Sequence, residues 1–251
     1  MTPTKDLKPH HSTGRLRARP RSGFSASGSR ADSESFIGME KGLHPLELGL
    51  GRDGYVYIPQ RTIDSAMPAP LILLFHGAGG EALGILKPFQ ELADETGVIL
   101  LAPESRGRTW DCVRGGFGED LDFVDLALEQ TFSRYSIKPS HLAVGGFSDG
   151  ASYALSLGIP NGSLFTHILA YSPGFVAPFE IDSNPRIFIS HGTADRVLAI
   201  DRCSRRIVPH LQRTGFDLQY VEFTGGHSIP ELIARESLAW FLTPVADGVW
   251  G

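Results

Sequence analysis

The chain has few cysteines and no long apolar run, and each absence narrows the class of protein. Only two of its 251 residues are cysteines, Cys112 and Cys203, and their spacing matches no metal-binding motif. We therefore expect two separate thiols in a reducing, cytoplasmic environment, with a disulfide between them as the alternative. No apolar stretch approaches the ~20 residues of a membrane span, and the first residues lack the apolar core of a secretory signal. The sequence predicts no membrane span.

The chain also carries less positive than negative charge. It has 23 lysines and arginines and 28 aspartates and glutamates, which gives a net charge of −5. We therefore expect no nucleic-acid partner. Residues 1–40 differ in being rich in Ser, Gly, Arg and Pro, and their composition predicts a largely disordered tail. Within it, alternation over residues 15–19 allows an edge strand, with a solvated arginine run as the alternative. Residues 41–251 suit a single domain.

Apolar runs alternate with helical patterns along this domain. Strands are predicted over 55–58, 71–75, 98–102, 141–145, 167–171, 186–190 and 218–223, and helices over 83–96, 120–135, 152–157, 202–214 and 230–241. Several of the strands are apolar without alternation, as strands covered on both faces would be. The order predicts the α/β class, with a mostly parallel central sheet and helices on both faces. No insertion is long enough for more than a minimal cap.

One motif contains the first candidate catalytic residue. The pattern G-x-S-x-G stands at Gly146–Gly150, between a predicted strand and a predicted helix, which is the context of a nucleophile elbow. The serine in such a turn adopts a sparsely allowed backbone conformation, and side chains two positions away would collide with the flanking elements. Ser148 is therefore the candidate nucleophile, with an ordinary glycine-rich turn as the alternative.

Two later strand ends offer an acid and a base. Asp195 follows one predicted strand, and His227 follows the next. The carboxyl ends of parallel strands meet at one edge of a sheet, so we expect both near Ser148. His227 would take the proton of the serine hydroxyl, and Asp195 would orient the imidazole. Asp201 is a competing acid, which we expect instead to cap the following helix.

The tetrahedral oxyanion of acyl transfer needs N–H donors. We expect these from the backbone of Asp149, next after the nucleophile, and of Ala78 in the glycine-rich loop after residue 75. The Asp149 side chain is expected to serve the elbow or a neighbouring loop. The loop 105–118 either overhangs the site or is a mobile loop without a substrate role. Further candidate substrate-binding residues lie after strands that end at this edge: His76, Trp110, Arg114, Phe117 and Phe175.

Four motifs together resemble the phospholipase/carboxylesterase family of α/β-hydrolases. They are His76–Gly80, Gly145–Gly150, His191–Asp195 and Gly225–His227, and the similarity covers about residues 42–243. Asp120–Phe123 is also similar to polyhydroxybutyrate depolymerases and feruloyl esterases. The resemblance implies the α/β-hydrolase fold and a metal-independent ester or thioester hydrolase without a cofactor, acting through Ser148, Asp195 and His227. Many of these carboxylesterases have Gln where this chain has Asp149, which leaves the subfamily and the substrate open.

The leading hypothesis is a serine hydrolase that cleaves carboxylic esters of small soluble substrates through an acyl-enzyme. The alternatives are a thioesterase or polyester depolymerase with the same triad, and a binding protein of the same fold without activity. Short loops and no large lid predict a small substrate, and Trp110 and Phe117 are expected to limit acyl length. The oligomeric state is not predicted.

Overall fold

The computed structural model describes residues 13–20, 40–49, 51–65, 67–178 and 180–243. These residues build one eight-stranded sheet with helices packed against it. The strands are β1 (Gly42–Pro45), β2 (Gly54–Ile58), β3 (Ala69–Phe75), β4 (Ile99–Pro103), β5 (Ile137–Phe147), β6 (His167–Tyr171), β7 (Arg186–Gly192) and β8 (Leu218–Phe223). The helices named below are α1 (Gln60–Ser65), α2 (Ala82–Leu86), α3 (Gln90–Thr96), α4 (Glu119–Arg134), α5 (Asp149–Gly158), α6 (Ser204–Thr214) and α7 (Glu231–Leu242).

The sheet has the order β1-β2-β4-β3-β5-β6-β7-β8. β2 pairs antiparallel with β1 and with β4, and the remaining neighbours are parallel. This confirms the predicted α/β class and the mostly parallel sheet. The chain between β6 and β7 contains no helix among its described residues, in agreement with the predicted minimal cap. β1 and α1 were not predicted, since each is short and buries few side chains.

β3 divides the apolar core into two layers, one on each face of the sheet. Leu71, Leu73 and Phe75 pack with α4, α5 and α6 on one face. Ile72 and Leu74 pack with α2, α3 and α7 on the other. A strand covered on both faces needs apolar side chains at every position, which is why this run shows no alternation.

Pro88 divides the single helix that was predicted over 83–96. α2 ends at Leu86 and α3 begins at Gln90. Proline has no N–H to donate within a helix, and its ring clashes with the carbonyl four residues earlier. α2 is therefore a separate short helix directly after the glycine-rich loop.

The edge strand that the sequence allowed over residues 15–19 is not formed. The backbone of this segment is held by polar side chains: Asp125 Oδ1 accepts the N–H groups of Arg17 and Ala18, each at 2.8 Å. Asn161 Oδ1 accepts the Leu16 N–H at 2.9 Å. The two buried side chains therefore take the place of a strand partner. Residues 1–12 and 21–39 of the predicted tail, and 244–251 of the predicted domain, lie outside the described residues.

Leu16 anchors this segment, since its side chain is buried in the core layer that contains α4. We expect Leu16→Ala to lower the free energy of unfolding by about 2–4 kcal/mol, the cost of deleting a buried leucine side chain. Urea unfolding of the two proteins measures the difference. Leu126→Ala, which truncates an exposed leucine of α4, is the matched control and should cost about 0.5 kcal/mol or less. Equal losses for the two variants would mean that the segment does not contribute to the core.

His167 should make the fold sensitive to acid. Its ring is buried 5.1 Å from that of Phe241 and 5.2 Å from that of Trp240, and within the described chain Nε2 has no hydrogen-bond partner. Burial, with Arg186 and His141 adding to it, lowers the pKa of His167 to about 4. Between these pH values the unfolded chain binds a proton at this histidine and the folded chain does not. The free energy of unfolding therefore falls as the pH drops from about 6.5 towards 4. The expected loss is roughly 3 kcal/mol.

Urea unfolding between pH 4 and pH 7 tests this sensitivity. His167→Leu should flatten the dependence of stability on pH, whatever it costs in absolute stability. Leu126→Ala, at an exposed position of α4, removes no titratable group; it is the control and should keep the wild-type slope. If His167→Leu and the wild type lose stability equally over this range, other groups cause the acid sensitivity.

Candidate active site

Ser148 stands in a sharp turn between β5 and α5. Its backbone has φ 59° and ψ −121°, a conformation that residues with a side chain rarely adopt, and its N–H donates to the Tyr171 carbonyl at 2.9 Å. A Cβ on Gly146 would overlap the Gly150 carbonyl, and a Cβ on Gly150 would overlap the Phe75 carbonyl. The two glycines of the motif are thus required by close backbone contacts, as the sequence predicted.

The structure brings Ser148, His227 and Asp195 into one chain of hydrogen bonds. His227 Nε2 lies 2.8 Å from Ser148 Oγ, and His227 Nδ1 lies 2.6 Å from Asp195 Oδ2. An ionised carboxylate can only accept, so Nδ1 carries the proton and Nε2 is left to accept the serine O–H. A base in this position can remove the hydroxyl proton while the oxygen attacks a carbonyl carbon.

Asp195 is held on both carboxylate oxygens. Oδ1 accepts the backbone N–H groups of Val197 at 2.8 Å and Leu198 at 2.9 Å, and Oδ2 faces His227. Burial acts to raise the pKa of Asp195, but the hydrogen bonds from His227 and from the two N–H groups outweigh it, and its pKa lies below the usual range. The carboxylate is therefore ionised at neutral pH.

Asp201 does not cap α6, and that prediction was wrong. It belongs to a 3₁₀ turn, Ile200–Arg202, and Cys203 occupies the position before the helix without a side-chain cap. The exposed Asp201 carboxylate instead accepts a hydrogen bond from Arg205 Nη1 at 2.7 Å. The Asp201 carboxylate is thus bound at the surface of α6.

The glycine-rich loop after β3 runs alongside the serine. A Cβ on Gly77 would lie 3.2 Å from that of Ser148. The Gly79 N–H donates to the Arg108 carbonyl at 2.7 Å, which ties this loop to the one after β4. Within the described chain the N–H of Ala78 makes no hydrogen bond. It is therefore available to an oxygen of a bound substrate.

His76 stiffens the same loop. Its Nδ1 donates to the Gly77 carbonyl at 2.7 Å, which leaves Nε2 to accept the Ser105 N–H at 3.1 Å. Burial is the main cause that lowers the pKa of His76, so the ring is neutral at neutral pH and can accept at Nε2. The imidazole thus links the loop after β3 to the loop after β4.

Asp149 begins α5, where backbone N–H groups have no partner within the helix. Its side chain is bound elsewhere: Oδ2 accepts the Thr109 hydroxyl at 2.7 Å. This agrees with the expectation that the side chain serves a neighbouring loop. The N–H of Asp149 remains the second candidate donor to an oxyanion, together with that of Ala78.

A cleft of about 340 Å³ opens beside His227. Its lining includes His76 and Ala78, and four apolar residues form walls: Ile85, Pro88, Phe147 and Ile229. These apolar residues were not predicted from the sequence, although Ile85 and Ile229 follow the strand ends that carry the glycine-rich loop and His227. That position in the chain was the available signal.

Of the five predicted substrate-binding residues, only His76 lines this cleft. The assignment of Trp110 was wrong: it is fully buried, stacks 4.9 Å from Tyr153 and donates its indole N–H to a backbone carbonyl. Phe117 packs 5.7 Å from the same tyrosine. The remaining two also lie away from the cleft lining, Arg114 against Gly107 and Phe175 against the core layer that contains α4.

Three further predictions concern metals, membranes and thiols. Among the residues described, no group of three or more His, Cys, Asp or Glu side chains could hold a metal ion. None of the helices in the same ranges is long and apolar enough to span a membrane. Cys112 and Cys203 are both buried free thiols, which confirms the prediction that they are separate.

Comparisons with known proteins agree with this architecture, although no protein-family model matches the chain. The sequence is similar to the probable feruloyl esterase C of Aspergillus niger, 26% identical over 171 residues, or 65% of this chain and 61% of that protein. Feruloyl esterase C of Emericella nidulans is 24% identical over 60% of this chain and 57% of its own. The chain thus spans about three fifths of the length of these curated relatives.

Solved structures extend the comparison to most of the fold. A ferulic acid esterase of Anaeromyces mucronatus superposes with a TM-score of 0.64 at 16% identity, covering 89% of this chain and 98% of its own. Esterase PE8 superposes with a TM-score of 0.61 at 23% identity, covering 74% and 96%. These likenesses show that the chain has the α/β-hydrolase fold that the sequence predicted.

Proposed function

We propose that the protein is a serine hydrolase that cleaves carboxylic esters through an acyl-enzyme intermediate. The observation that carries the proposal is the chain of hydrogen bonds from Ser148 through His227 to Asp195. It is supported by the strained turn that presents the serine and by the similarity to proteins named as esterases. A binding protein without activity would have no need to keep all three groups within hydrogen-bond distance.

Each group has one role in two half-reactions. Ser148 Oγ attacks the ester carbonyl while His227 Nε2 takes its proton, and Asp195 stabilises the imidazolium that forms. The N–H groups of Ala78 and Asp149 stabilise the oxyanion. His227 then gives the proton to the departing alcohol, and a water molecule attacks the acyl-enzyme by the same steps. None of these steps requires a metal or a cofactor.

The cleft favours a small acyl group. Its volume lies at the low end of ligand pockets, and its apolar walls suit a short alkyl chain or a single aromatic ring. The curated relatives are named as feruloyl esterases, so an aromatic acyl ester such as a ferulate is one candidate substrate. A thioester or a polyester would use the same residues and is the second candidate.

We also propose that the protein belongs to the phospholipase/carboxylesterase group, which its motifs support. We propose a cytoplasmic location, which its unpaired thiols support.

A fluorophosphonate probe and a panel of substrates test this function. The probe should label the wild-type protein once, on Ser148, and should not label Ser148→Ala. The panel contains p-nitrophenyl esters from acetate to palmitate, methyl ferulate and an acyl thioester. Folded wild-type protein that neither reacts with the probe nor hydrolyses any member of the panel would instead be a binding protein.

Ile85 should limit the length of the acyl group, because it forms part of the apolar wall of the cleft. We expect Ile85→Ala to shift the p-nitrophenyl ester preference towards longer chains, since each accommodated methylene contributes about 0.8 kcal/mol. The measurement is kcat/KM across the chain-length series. Phe117→Ala, outside the cleft, is the control and should change all chain lengths by the same factor. If only Phe117→Ala shifts the chain-length preference, the acyl site lies at the loop 105–118 instead.

A further inference from the structure

His191, one residue before the end of β7, is a second imidazole in contact with Asp195. Its side chain is fully buried. Nε2 lies 3.2 Å from Asp195 Oδ2 and 2.8 Å from the Leu198 carbonyl oxygen, and Nδ1 lies 2.7 Å from Ser204 Oγ. The half-reactions proposed above give this histidine no role.

The partners of His191 fix its tautomer. A carbonyl oxygen can only accept, so the proton sits on Nε2 and is shared between Leu198 and the Asp195 carboxylate. Nδ1 then has a free lone pair and accepts the O–H of Ser204, at the start of α6. Burial is the main cause that lowers the pKa of His191, which keeps the ring neutral beside the carboxylate.

We propose that His191 is a positioning residue for Asp195 and that Ser204 sets its tautomer. The proposal rests on the proposed function, in which Asp195 orients the catalytic base. His191 acts through the short loop that carries the acid. Leu198 gives its N–H to Asp195 Oδ1 and receives the N–H of His191 on its carbonyl, so the imidazole holds the loop closed around the carboxylate. Oδ2 therefore stays aimed at His227 Nδ1.

The other ionisable groups near this network do not compete for the carboxylate. Burial raises the pKa of the Cys203 thiol, and the charge of Asp195 adds to that effect, so the thiol is neutral. Glu222 is paired with Arg205 at 2.6 Å. Within this network, Asp195 Oδ2 therefore keeps His227 Nδ1 and His191 Nε2 as its partners.

The test compares three variants by the pH dependence of kcat/KM on an ester that the wild type hydrolyses. His191→Phe removes both ring nitrogens and should lower kcat about tenfold to a hundredfold, by analogy with the loss of a group that orients a metal ligand, with little change in KM. The acid limb of the profile should move to lower pH, because a carboxylate that is held less firmly stabilises an imidazolium less.

Two further variants separate positioning from simple stability. His191→Gln places an amide N–H near the position of Nε2 and should restore most of kcat and the wild-type acid limb. Ser204→Ala removes the hydrogen bond to Nδ1 and should move both quantities in the same direction as His191→Phe, by a smaller amount. A merely structural role would lower the melting temperature of the variants and leave the acid limb in place.

A spectroscopic readout needs no substrate. The proton between His227 Nδ1 and Asp195, in a hydrogen bond of 2.6 Å, should give a far-downfield ¹H NMR resonance in the wild type at low pH. It should weaken or move upfield in His191→Phe and in Ser204→Ala. The proposal would be overturned if, in these variants, the resonance does not move and the acid limb stays in place or moves to higher pH. If His191→Phe does not fold, Ser204→Ala alone decides. If the wild type hydrolyses no ester, the proposed function fails while the resonance still tests the positioning.

Discussion

Replacing Ser148 by alanine should lower kcat by a factor on the order of 10⁶ while the protein stays folded. The hydroxyl is the proposed nucleophile, and no other side chain on the chain of hydrogen bonds can form the acyl-enzyme in its place. Alanine keeps the Cβ and so fits the same narrow turn between β5 and α5. The measurement is kcat on the best ester of the panel, together with the melting temperature.

Ser133→Ala is the control for this variant, because Ser133 is exposed near the end of α4 and, among the described residues, its hydroxyl bonds only to its own helix. It should retain the wild-type kcat. Activity of Ser148→Ala within tenfold of the wild type would show that the nucleophile lies elsewhere, and the mechanism proposed here would be wrong.

The sheet and the site could be predicted because both follow from short-range rules. A run such as 71–75, apolar at every position, has few environments other than a strand covered on both faces. The turn around Ser148 needs glycine at two fixed positions, so it leaves a signature within five residues. Parallel topology then brings the ends of β5, β7 and β8 to one edge, which is why Asp195 and His227 could be placed near the serine without knowledge of their contacts.

Two of the differences concern residues whose surroundings come from distant parts of the chain. Trp110 stands on a loop beside the site, but Phe75 and Tyr153 offer its ring a place in the core. The segment 15–19 lacks a strand partner because Asp125, more than a hundred residues later, supplies the hydrogen bonds. Sequence spacing predicts neither contact, since both depend on which helix faces which loop in the packed structure.

The second large effect is expected for Asp195→Asn, with a loss in kcat of roughly 10⁴. The backbone N–H groups of Val197 and Leu198 fix the orientation of the new amide, because only its oxygen can accept them at the Oδ1 position. The amide NH₂ then occupies the Oδ2 position and points at His227 Nδ1. A donor there forces Nδ1 to accept and moves the proton to Nε2, which faces Ser148 Oγ and can no longer remove its proton.

The alternative acid provides the matched control. Asp201→Asn changes an exposed carboxylate whose partner is Arg205, so kcat should equal that of the wild type and the melting temperature should change little. Both variants are measured on the same ester, with the far-downfield proton resonance as a second readout that Asp195→Asn should abolish and Asp201→Asn should preserve. A large loss with Asp201→Asn and none with Asp195→Asn would transfer the role of the acid to Asp201, and would require His227 to leave the carboxylate that it now contacts at 2.6 Å.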